Sequence, residues 1–172
     1  MRTESEANQA LAQYSDLVKR ICVLHLKNPE DTKDVFQNVF LKYILYSGSF
    51  ENEEHERAWF IRVTINACKD WIKSLSRHPF ISLETASEII STTSSMDNPE
   101  TYSFISNQNR EVLSAVLSLP NKYKDVIYLF YYEEYSAVEI ARLLNKKENT
   151  IYSLLSRAKK LLKEKLGGEE FE

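Results

Sequence analysis

Residues 136–166 read SAVEIARLLNKKENTIYSLLSRAKKLLKEKL, and this stretch decides the fold. Ser136 and Glu139 form a capping box, in which each side chain satisfies a backbone donor of the other residue at the start of a helix. Asn145 tolerates a left-handed backbone and marks the end of that helix. A second helix is predicted to start near Thr150. Two helices separated by so short a polar turn are typical of a helix-turn-helix unit.

The second helix has one apolar side and one polar side. Placing residues at intervals of about 100° gathers an apolar stripe, namely Ile151, Leu154, Leu155, Ala158, Leu161, Leu162 and Leu166. The other side offers cations, hydroxyl groups and an aromatic ring, which suit the DNA major groove. The candidate DNA contacts are Asn149, Thr150, Tyr152, Ser153, Ser156, Arg157, Lys159 and Lys160. A solvated amphipathic helix is the alternative interpretation.

Composition favours a cytosolic helical protein. The 172 residues are 43% hydrophobic and include only 3 Gly and 4 Pro, which suits a mostly helical chain. No N-terminal apolar run resembles a signal peptide, and no apolar stretch is long enough to cross a bilayer. Cys22 and Cys68 match no metal or redox spacing, so buried free thiols are expected. We therefore expect a cytoplasmic protein without membrane insertion.

Catalytic chemistry has little support in the sequence. His25, His55 and His78 are scattered, and no nucleophile, metal-ligand cluster or glycine-rich phosphate loop accompanies them. We expect a protein that is not an enzyme and that needs no cofactor or metal.

Charge is distributed unevenly along a chain whose net charge is −3. Residues 79–109 contain four acids and no Lys or Arg, whereas residues 142–165 contain eight basic residues and two acids. The acidic segment is rich in Ser, Thr and Asn and lacks helical periodicity, which indicates a linker. The sequence thus predicts one domain at 1–78, a linker at 79–109 and a second domain at 110–172. The alternative is a surface loop with one short helix inside a single domain.

Two helices are predicted before residue 46. The first runs from Ser5 to Leu26 and directs apolar side chains toward a core, namely Leu11, Leu17, Val18, Ile21 and Cys22. The second follows Asn28 and Pro29, a capping residue and a proline at the first helical position. Its apolar face consists of Val35, Phe36, Val39, Phe40, Tyr43 and Ile44. The other face is either a solvated acidic turn or a docking surface for a basic partner, formed by Asp31, Asp34, Gln37 and Asn38.

A third helix is predicted from Arg57 to Arg77, with two stripes of different character. The buried stripe consists of Ala58, Ile61, Ile65, Cys68, Ile72 and Leu75. The polar stripe consists of Arg62, Asn66, Lys69, Lys73 and Arg77, bordered by Trp59 and Asp70. Cations suit phosphates, an amide suits a base edge, and an indole suits stacking on an unpaired base. The alternative is a solvated face beside a core tryptophan.

Three motifs occur here in an informative order. DTKDVFQNVF at 31–40 resembles the segment that docks on the β′ clamp of RNA polymerase, and AWFIRVTINACKDW at 58–71 resembles the helix that opens and reads a promoter minus-10 element. Residues 117–163 resemble a domain whose helix-turn-helix reads the minus-35 element. The whole chain thus resembles a bacterial sigma factor of the sigma-70 family, in its extracytoplasmic-function (ECF) group. The fold implied is all-α, with a sigma-2-like bundle and a sigma-4-like helix-turn-helix domain joined by a flexible linker.

The resemblance implies roles for the candidate residues and a set of partners. The polymerase contacts would be Asp31, Asp34, Gln37, Asn38 and Phe40. The minus-10 contacts would be the polar stripe of the third helix with Trp59 and Asp70, and the preceding loop, Tyr46 to Glu56, would capture a flipped base. The polar side of the last helix would read the minus-35 element. The implied partners are core RNA polymerase through its β′ clamp and β subunits, promoter DNA, and an anti-sigma factor.

Departures from the family pattern concern the turn and the last helix. Asn145 and Asn149 replace common glycines, Lys146 replaces an aliphatic residue, and Tyr152 and Leu154 replace common cations. Fewer cations at the groove predict weaker minus-35 binding. Two other functions keep part of the pattern, a helix-turn-helix transcriptional regulator and a sigma mimic that binds an anti-sigma factor.

Overall fold

The computed structural model describes residues 1–77 and 110–167, and the side chains of residues 1–75 and 111–167. All the regular secondary structure in these residues is helical. The chain divides into two compact units, Met1–Tyr102 and Ser103–Glu172, which we call unit 1 and unit 2. The acidic linker predicted at 79–109 and the domain boundaries beside it lie outside the described residues and stay predictions. Within the described parts, no helix is long and apolar enough to span a membrane.

Unit 1 contains three helices, α1 (Glu4–His25), α2 (Pro29–Leu45) and α3 (Glu53–Arg77), which pack against one another pairwise. Asn28 caps α2 by accepting a hydrogen bond from the Glu30 backbone N–H, as the Asn-Pro signal predicts. The core is formed by fully buried side chains from all three helices, including Val18, Cys22, Val39, Phe60, Ile61 and Cys68. Cys22 and Cys68 form no disulfide and are both buried, in agreement with the sequence prediction.

Two apolar positions and one helix start differ from the prediction. Leu11 and Leu75 are 37% and 36% exposed, although helical periodicity places both on the buried sides of their helices. Leu75 lies near the end of α3, after Cys68, which is the last buried residue of that helix in the described part. Helix α3 starts at Glu53, four residues before the predicted Arg57. The earlier start is stabilised by Asn52, whose Oδ1 accepts from the His55 backbone N–H, and by acidic residues that favour the positive end of the helix dipole.

Glu56 joins the three helices of unit 1. Its Oε2 accepts a hydrogen bond from the Tyr14 hydroxyl of α1 at 3.0 Å, and its Oε1 accepts one from the Tyr43 hydroxyl of α2 at 2.8 Å. Both tyrosines are buried, and the Tyr14 ring stacks on Phe60 of α3 with 4.5 Å between ring centroids. A carboxylate that receives two buried hydroxyl donors fixes α1 and α2 against the first turn of α3.

Unit 2 contains α4 (Arg110–Leu117), α5 (Asn121–Ile127), a π-helical segment (Tyr128–Tyr132), α6 (Ala137–Leu144) and α7 (Glu148–Lys165). The predicted capping box is present: the Ser136 side chain accepts from the Glu139 backbone N–H, and the Glu139 carboxylate accepts from that of Ser136. Helix α7 starts two residues before the predicted Thr150. The predicted apolar stripe of α7 is buried at five positions, Ile151, Leu154, Leu155, Ala158 and Leu162.

The turn between α6 and α7 adopts the predicted left-handed geometry. Asn145 has φ 53° and ψ 51°, and the Lys146 N–H donates to the Ala141 carbonyl at 2.9 Å. This is a Schellman-type helix end, in which the residue after the left-handed one normally makes an apolar contact with the last turn. Lys146 occupies that position and is exposed, so the turn has the backbone bonds of the motif with a charged residue in place of the usual apolar one.

Glu134 offers a test of backbone strain in unit 2. It has φ 60° although it is not glycine, and it follows the π-helical segment. Glu134→Gly is expected to stabilise unit 2 by about 0.5–1 kcal/mol because glycine removes the Cβ penalty of a left-handed backbone. Thermal melting of the full chain measures the gain. Glu134→Ala keeps the Cβ and removes the charge, so an equal gain from alanine would contradict the backbone explanation.

Candidate nucleic-acid interface

The polar stripe of α3 is exposed along most of its length. Arg62, Asn66, Asp70 and Lys73 are exposed, and Lys69 is half-buried at the border. Spacings of three and four residues place these side chains on one face. Arg77 is the last helical residue, and its side chain lies outside the described part. The structure therefore brings most of the predicted stripe together on one solvent-facing line.

Trp59 connects this stripe to the loop between α2 and α3, residues 46–52, which we call the α2–α3 loop. The half-buried indole lies 5.3 Å from the Tyr46 ring and 5.9 Å from the Phe50 ring, measured between centroids. Tyr43 and Phe60 complete the group, which we call the aromatic cluster. Because these rings already surround the indole, Trp59 offers only part of its surface for stacking on a base. Trp59 therefore lies beside both the loop and the stripe.

The α2–α3 loop is held at its end by two side chains, that of Asn52 just before α3 and that of His55 within α3. The Asn52 Oδ1 accepts from the His55 N–H at 2.8 Å, and the His55 Nδ1 accepts from the Glu51 N–H at 3.1 Å. Gly48 lies directly against the Tyr46 ring, where a Cβ would collide with the ring. The absence of a side chain at Gly48 thus allows Tyr46 to fold back onto the loop.

A cavity of about 350 Å³ lies beside the α2–α3 loop. Its wall combines flat rings with hydrogen-bonding groups, including Arg2, Gln9, Gln13, Tyr43, Phe50 and Asn52. A ring face together with amide and hydroxyl groups is the chemistry that recognises an unpaired base. The contribution of α1 to this wall was missed by the sequence analysis, because no local pattern relates residues about 40 positions apart.

The predicted docking face of α2 divides into surface and core. Asp34, Gln37 and Asn38 are exposed, and Asp31 is half-buried. Phe40 is 6% exposed and packs on Phe60 at 5.4 Å between ring centroids. The Phe40 side chain therefore belongs to the core of unit 1 and offers almost no surface to a partner, although the motif had placed it among the contacts.

Asp31 is an electrostatic cost to unit 1. Burial raises the pKa of its carboxyl group, the negative charge of Asp34 raises it further, and the nearby Trp71 indole N–H lowers it without a well-formed hydrogen bond. A raised pKa in the folded state means that the ionised form destabilises the fold above that pKa, whereas the protonated form does not. Ionised Asp31 therefore opposes folding at neutral pH.

Asp31→Asn is accordingly expected to raise the melting temperature of unit 1 at pH 7 by about 2 °C. The difference from the unmodified chain should shrink as the pH falls through about 4 and vanish below about pH 3, where Asp31 is protonated in both the unfolded and the folded chain. Paired melts at pH 7 and at acid pH measure it. Asp16→Asn on α1, where the carboxylate is exposed, serves as the control; an equal gain there would contradict the role of burial.

The polar side of α7 is exposed as predicted, with one exception. Asn149, Thr150, Tyr152, Ser153, Ser156, Arg157 and Lys160 all face solvent. Lys159 is half-buried, and its Nζ lies 5.3 Å and 5.7 Å from the ring centroids of Phe130 and Tyr131. This cation stacks on the π-helical segment, so its predicted place among the groove-facing contacts is not supported by its position.

The turn of the helix-turn-helix adds basic residues that the candidate set omitted. Arg142, Lys146 and Lys147 line an open groove of about 530 Å³ together with Asn149. Arg142 is in the last turn of α6, and only the three-dimensional turn places it beside the start of α7. Cations around a turn next to an exposed polar helix suit phosphate groups that flank a DNA groove.

Comparison with known families divides the chain in the same way. Residues 10–78 match the family described as Sigma-70 region 2, and residues 109–162 match Sigma-70, region 4. Among relatives, the ECF RNA polymerase sigma factor SigW of Bacillus subtilis (strain 168) is 25% identical over 161 residues, covering 89% of this chain and 84% of SigW. SigM of Mycobacterium tuberculosis, also an ECF RNA polymerase sigma factor, is 24% identical over 160 residues, covering 93% and 76%.

Two solved structures have a similar fold. One is the sigma factor RpoE in complex with the anti-sigma factor NepR from Bartonella quintana, with TM-score 0.71 and 19% identity, covering 95% of this chain and 98% of that one. The other is CnrH in complex with the cytosolic domain of CnrY, with TM-score 0.63 and 18% identity, covering 98% and 92%. At these identities the likeness concerns the fold.

Proposed function

Since this chain belongs to the sigma-70 family and is an ECF sigma factor, a protein that directs RNA polymerase to promoters, we propose that its two units divide promoter recognition between them. Unit 1 would read and open the minus-10 element, and unit 2 would read the minus-35 element. The observation that carries this division is that each unit presents a separate exposed face of cations and short polar groups, one on α3 and one on α7. Sigma factors are not enzymes, so the chemistry belongs to the polymerase.

For the minus-10 element, the proposed contacts are the exposed stripe of α3 and the α2–α3 loop. Asn66 and Asp70 lie one turn apart and would hold bases, while Arg62, Lys69, Lys73 and Arg77 would hold phosphates. The cavity beside the α2–α3 loop would receive a base that has left the stack. Trp59 would contribute the part of its indole that the aromatic cluster leaves exposed.

For the polymerase, we propose that Asp31, Asp34, Gln37 and Asn38 on α2 contact the β′ clamp, and that unit 2 contacts the β subunit. The charge of Asp31 supports this, since a carboxylate that opposes folding is explained if it serves a partner. Asp31→Asn should therefore bind core polymerase more weakly although it melts higher. The acidic residues 79–109 would link domains at 1–78 and 110–172, so that two weak contacts act together through effective concentration.

An anti-sigma factor is a further proposed partner. One of the structurally similar proteins is solved with an anti-sigma factor and the other with the cytosolic domain of CnrY. A protein that covered the faces of α2 and α7 would block polymerase and promoter together. We also propose that the chain acts in the cytoplasm, where polymerase and DNA are found.

The proposal is tested by transcription in vitro. Core polymerase is incubated with a promoter library, with and without the full chain, and the transcripts are sequenced. Initiation at a defined set of sites that depends on the chain is expected, with two separated sequence elements in common. A set with only one shared element would contradict the division between the two units.

Salt dependence separates the cations of α7. Affinity falls as salt rises, so log affinity against log salt has a negative slope. The double substitution Arg157→Ala and Lys160→Ala is expected to reduce the magnitude of that slope by about 2, because two phosphate contacts are lost. Lys159→Met should leave the slope unchanged, since its Nζ lies on the Phe130 and Tyr131 rings. Both slopes are obtained by measuring how tightly the polymerase complex binds a minus-35 duplex between about 50 and 300 mM salt. An unchanged slope in the double variant would exclude the phosphate role.

A further inference from the structure

We propose that Arg2 is a positioning residue that holds the α2–α3 loop in the shape that captures a promoter base. The inference rests on the proposed function, because it assumes that this loop takes up an unpaired base. Arg2 lies outside residues 10–78, which match Sigma-70 region 2, so the family match does not include it. The assignment follows from the contacts that its side chain makes.

Arg2 contacts the backbone of the loop and two aromatic rings, Tyr43 of α2 and Phe50 of the loop, at the same time. Its Nη2 donates to the Gly48 carbonyl at 2.7 Å, and its backbone N–H donates to the Ile44 carbonyl at the end of α2 at 2.8 Å. The guanidinium carbon lies 5.2 Å from the Tyr43 ring centroid and 5.0 Å from that of Phe50. The side chain is only 16% exposed, so these contacts are shielded from water.

Arginine is suited to this double task. Its planar guanidinium stacks on a ring face and still donates hydrogen bonds in its own plane, whereas a lysine ammonium is a compact point charge. Its salt bridge with Glu6 is long, at 3.5 Å, and Glu6 is exposed, so this pair contributes little. The Gly48 and ring contacts are therefore the ones that the position requires.

These contacts fix the part of the loop that its helix anchors do not reach. The end of the loop is fixed by Asn52 and His55, and its middle, around Gly48, is held by Arg2 and by the folded-back Tyr46 ring. Arg2 and Phe50 also line the cavity. A loop that is already ordered pays less conformational entropy when a ligand binds, so Arg2 would raise affinity for the captured base chiefly by keeping the loop ordered.

The test measures single-stranded DNA binding by the full chain in complex with core polymerase. A library of oligonucleotides with eight randomised positions, a window chosen to be about the length of a promoter element, gives the preferred sequence. Each nucleotide of that sequence is then replaced in turn by an abasic one. The unmodified chain is expected to show one position where loss of the base weakens binding about tenfold, as stacking and capture of one base predict.

Arg2→Met is expected to bind the intact oligonucleotide about tenfold more weakly and to lose no further affinity at the abasic position, because capture is already impaired. Arg2→Lys, which keeps the charge, should fall between the two. Both variants should stay folded and keep the polymerase affinity of the unmodified chain, and Arg2→Met should melt about 5 °C lower because one part-buried hydrogen bond is lost. Lys19→Met is the matched control: it also removes a cation that lies over a ring, but that ring is Phe36 of α2, at 5.6 Å, and not a ring of the loop, so this variant should behave as the unmodified chain.

A full tenfold abasic penalty in Arg2→Met would overturn the positioning role, while leaving base capture intact. Absence of any sensitive position in the unmodified chain would instead overturn base capture, and the role of Arg2 with it. The two failures are distinguished because the first is seen only by comparing variants and the second in the unmodified chain alone.

Discussion

Glu56→Ala is expected to lower the stability of unit 1 by about 3 kcal/mol. The change removes the acceptor of two buried tyrosine hydroxyls, and an unpaired buried donor costs more than the hydrogen bond itself contributed. For a domain of this size the loss corresponds to roughly 15 °C in melting temperature. Calorimetry of the full chain measures it.

A control on the same helix separates this network from ordinary surface contacts. Glu53 is exposed, and its Oε1 accepts from Gln13 Nε2 at 2.6 Å, so Glu53→Ala removes one hydrogen bond between α1 and α3. Its effect should stay below about 1 kcal/mol. Equal losses for Glu53→Ala and Glu56→Ala would show that burial of the two tyrosines is not the source of the stability.

The same network predicts sensitivity to alkaline pH. Burial, followed by the hydrogen bond to Glu56, raises the pKa of Tyr43 to about 12 and raises that of Tyr14 as well. Unfolded tyrosine ionises near pH 10, so below about pH 10 the stabilisation is complete. As the pH rises from about 10 toward 12, the unfolded chain loses its protons first and stability falls. Tyr14→Phe combined with Tyr43→Phe should reduce that dependence.

The largest loss of activity is expected from Asn66→Ala and Asp70→Ala. Each removes one side chain proposed to hold a minus-10 base, and such contacts are worth about a 10- to 100-fold change in binding. Opening of the promoter should slow by that factor, while affinity for core polymerase stays unchanged, because both residues lie on α3 and the proposed docking face lies on α2. Fluorescence of a 2-aminopurine in the minus-10 element follows opening.

Matched controls are available on α1, where Asn8 and Asp16 are also exposed. Asn8→Ala and Asp16→Ala make the same chemical changes away from the stripe and should open the promoter at the normal rate. A parallel loss of polymerase binding and promoter opening in Asn66→Ala and Asp70→Ala would contradict a base-holding role.

Local signals in the sequence predicted the features that local contacts determine. The capping box at Ser136 and Glu139, the Asn28 cap and the left-handed Asn145 all depend on residues within a few positions of each other, and all three were confirmed. The buried stripe of α7 was also confirmed, because a regular period reports a buried face directly.

Features that depend on packing between distant segments were not predicted. The Glu56 network joins residues 42 and 13 positions apart, and Arg2 reaches a loop 46 positions away. The sequence predicts Lys159 as a cation that faces the DNA groove, whereas in the structure its Nζ lies over a ring of the π-helical segment. Phe40 belongs both to the proposed docking motif and to the apolar face of α2, and only the packing of the helices shows that its side chain is buried in the core. Period and spacing describe one element at a time, so they miss such contacts.

The α2–α3 loop is supported by residues that are scattered along unit 1. It rests on Arg2 through Gly48, on Tyr43 and Trp59 through the aromatic cluster, and on His55 at its end. Grafting loop residues 46–52 from a relative into this chain would introduce a new loop sequence without the residues that support its conformation. To exchange promoter preference between two such proteins, the residues at positions 2, 43, 55 and 59 therefore have to be transferred together with the loop.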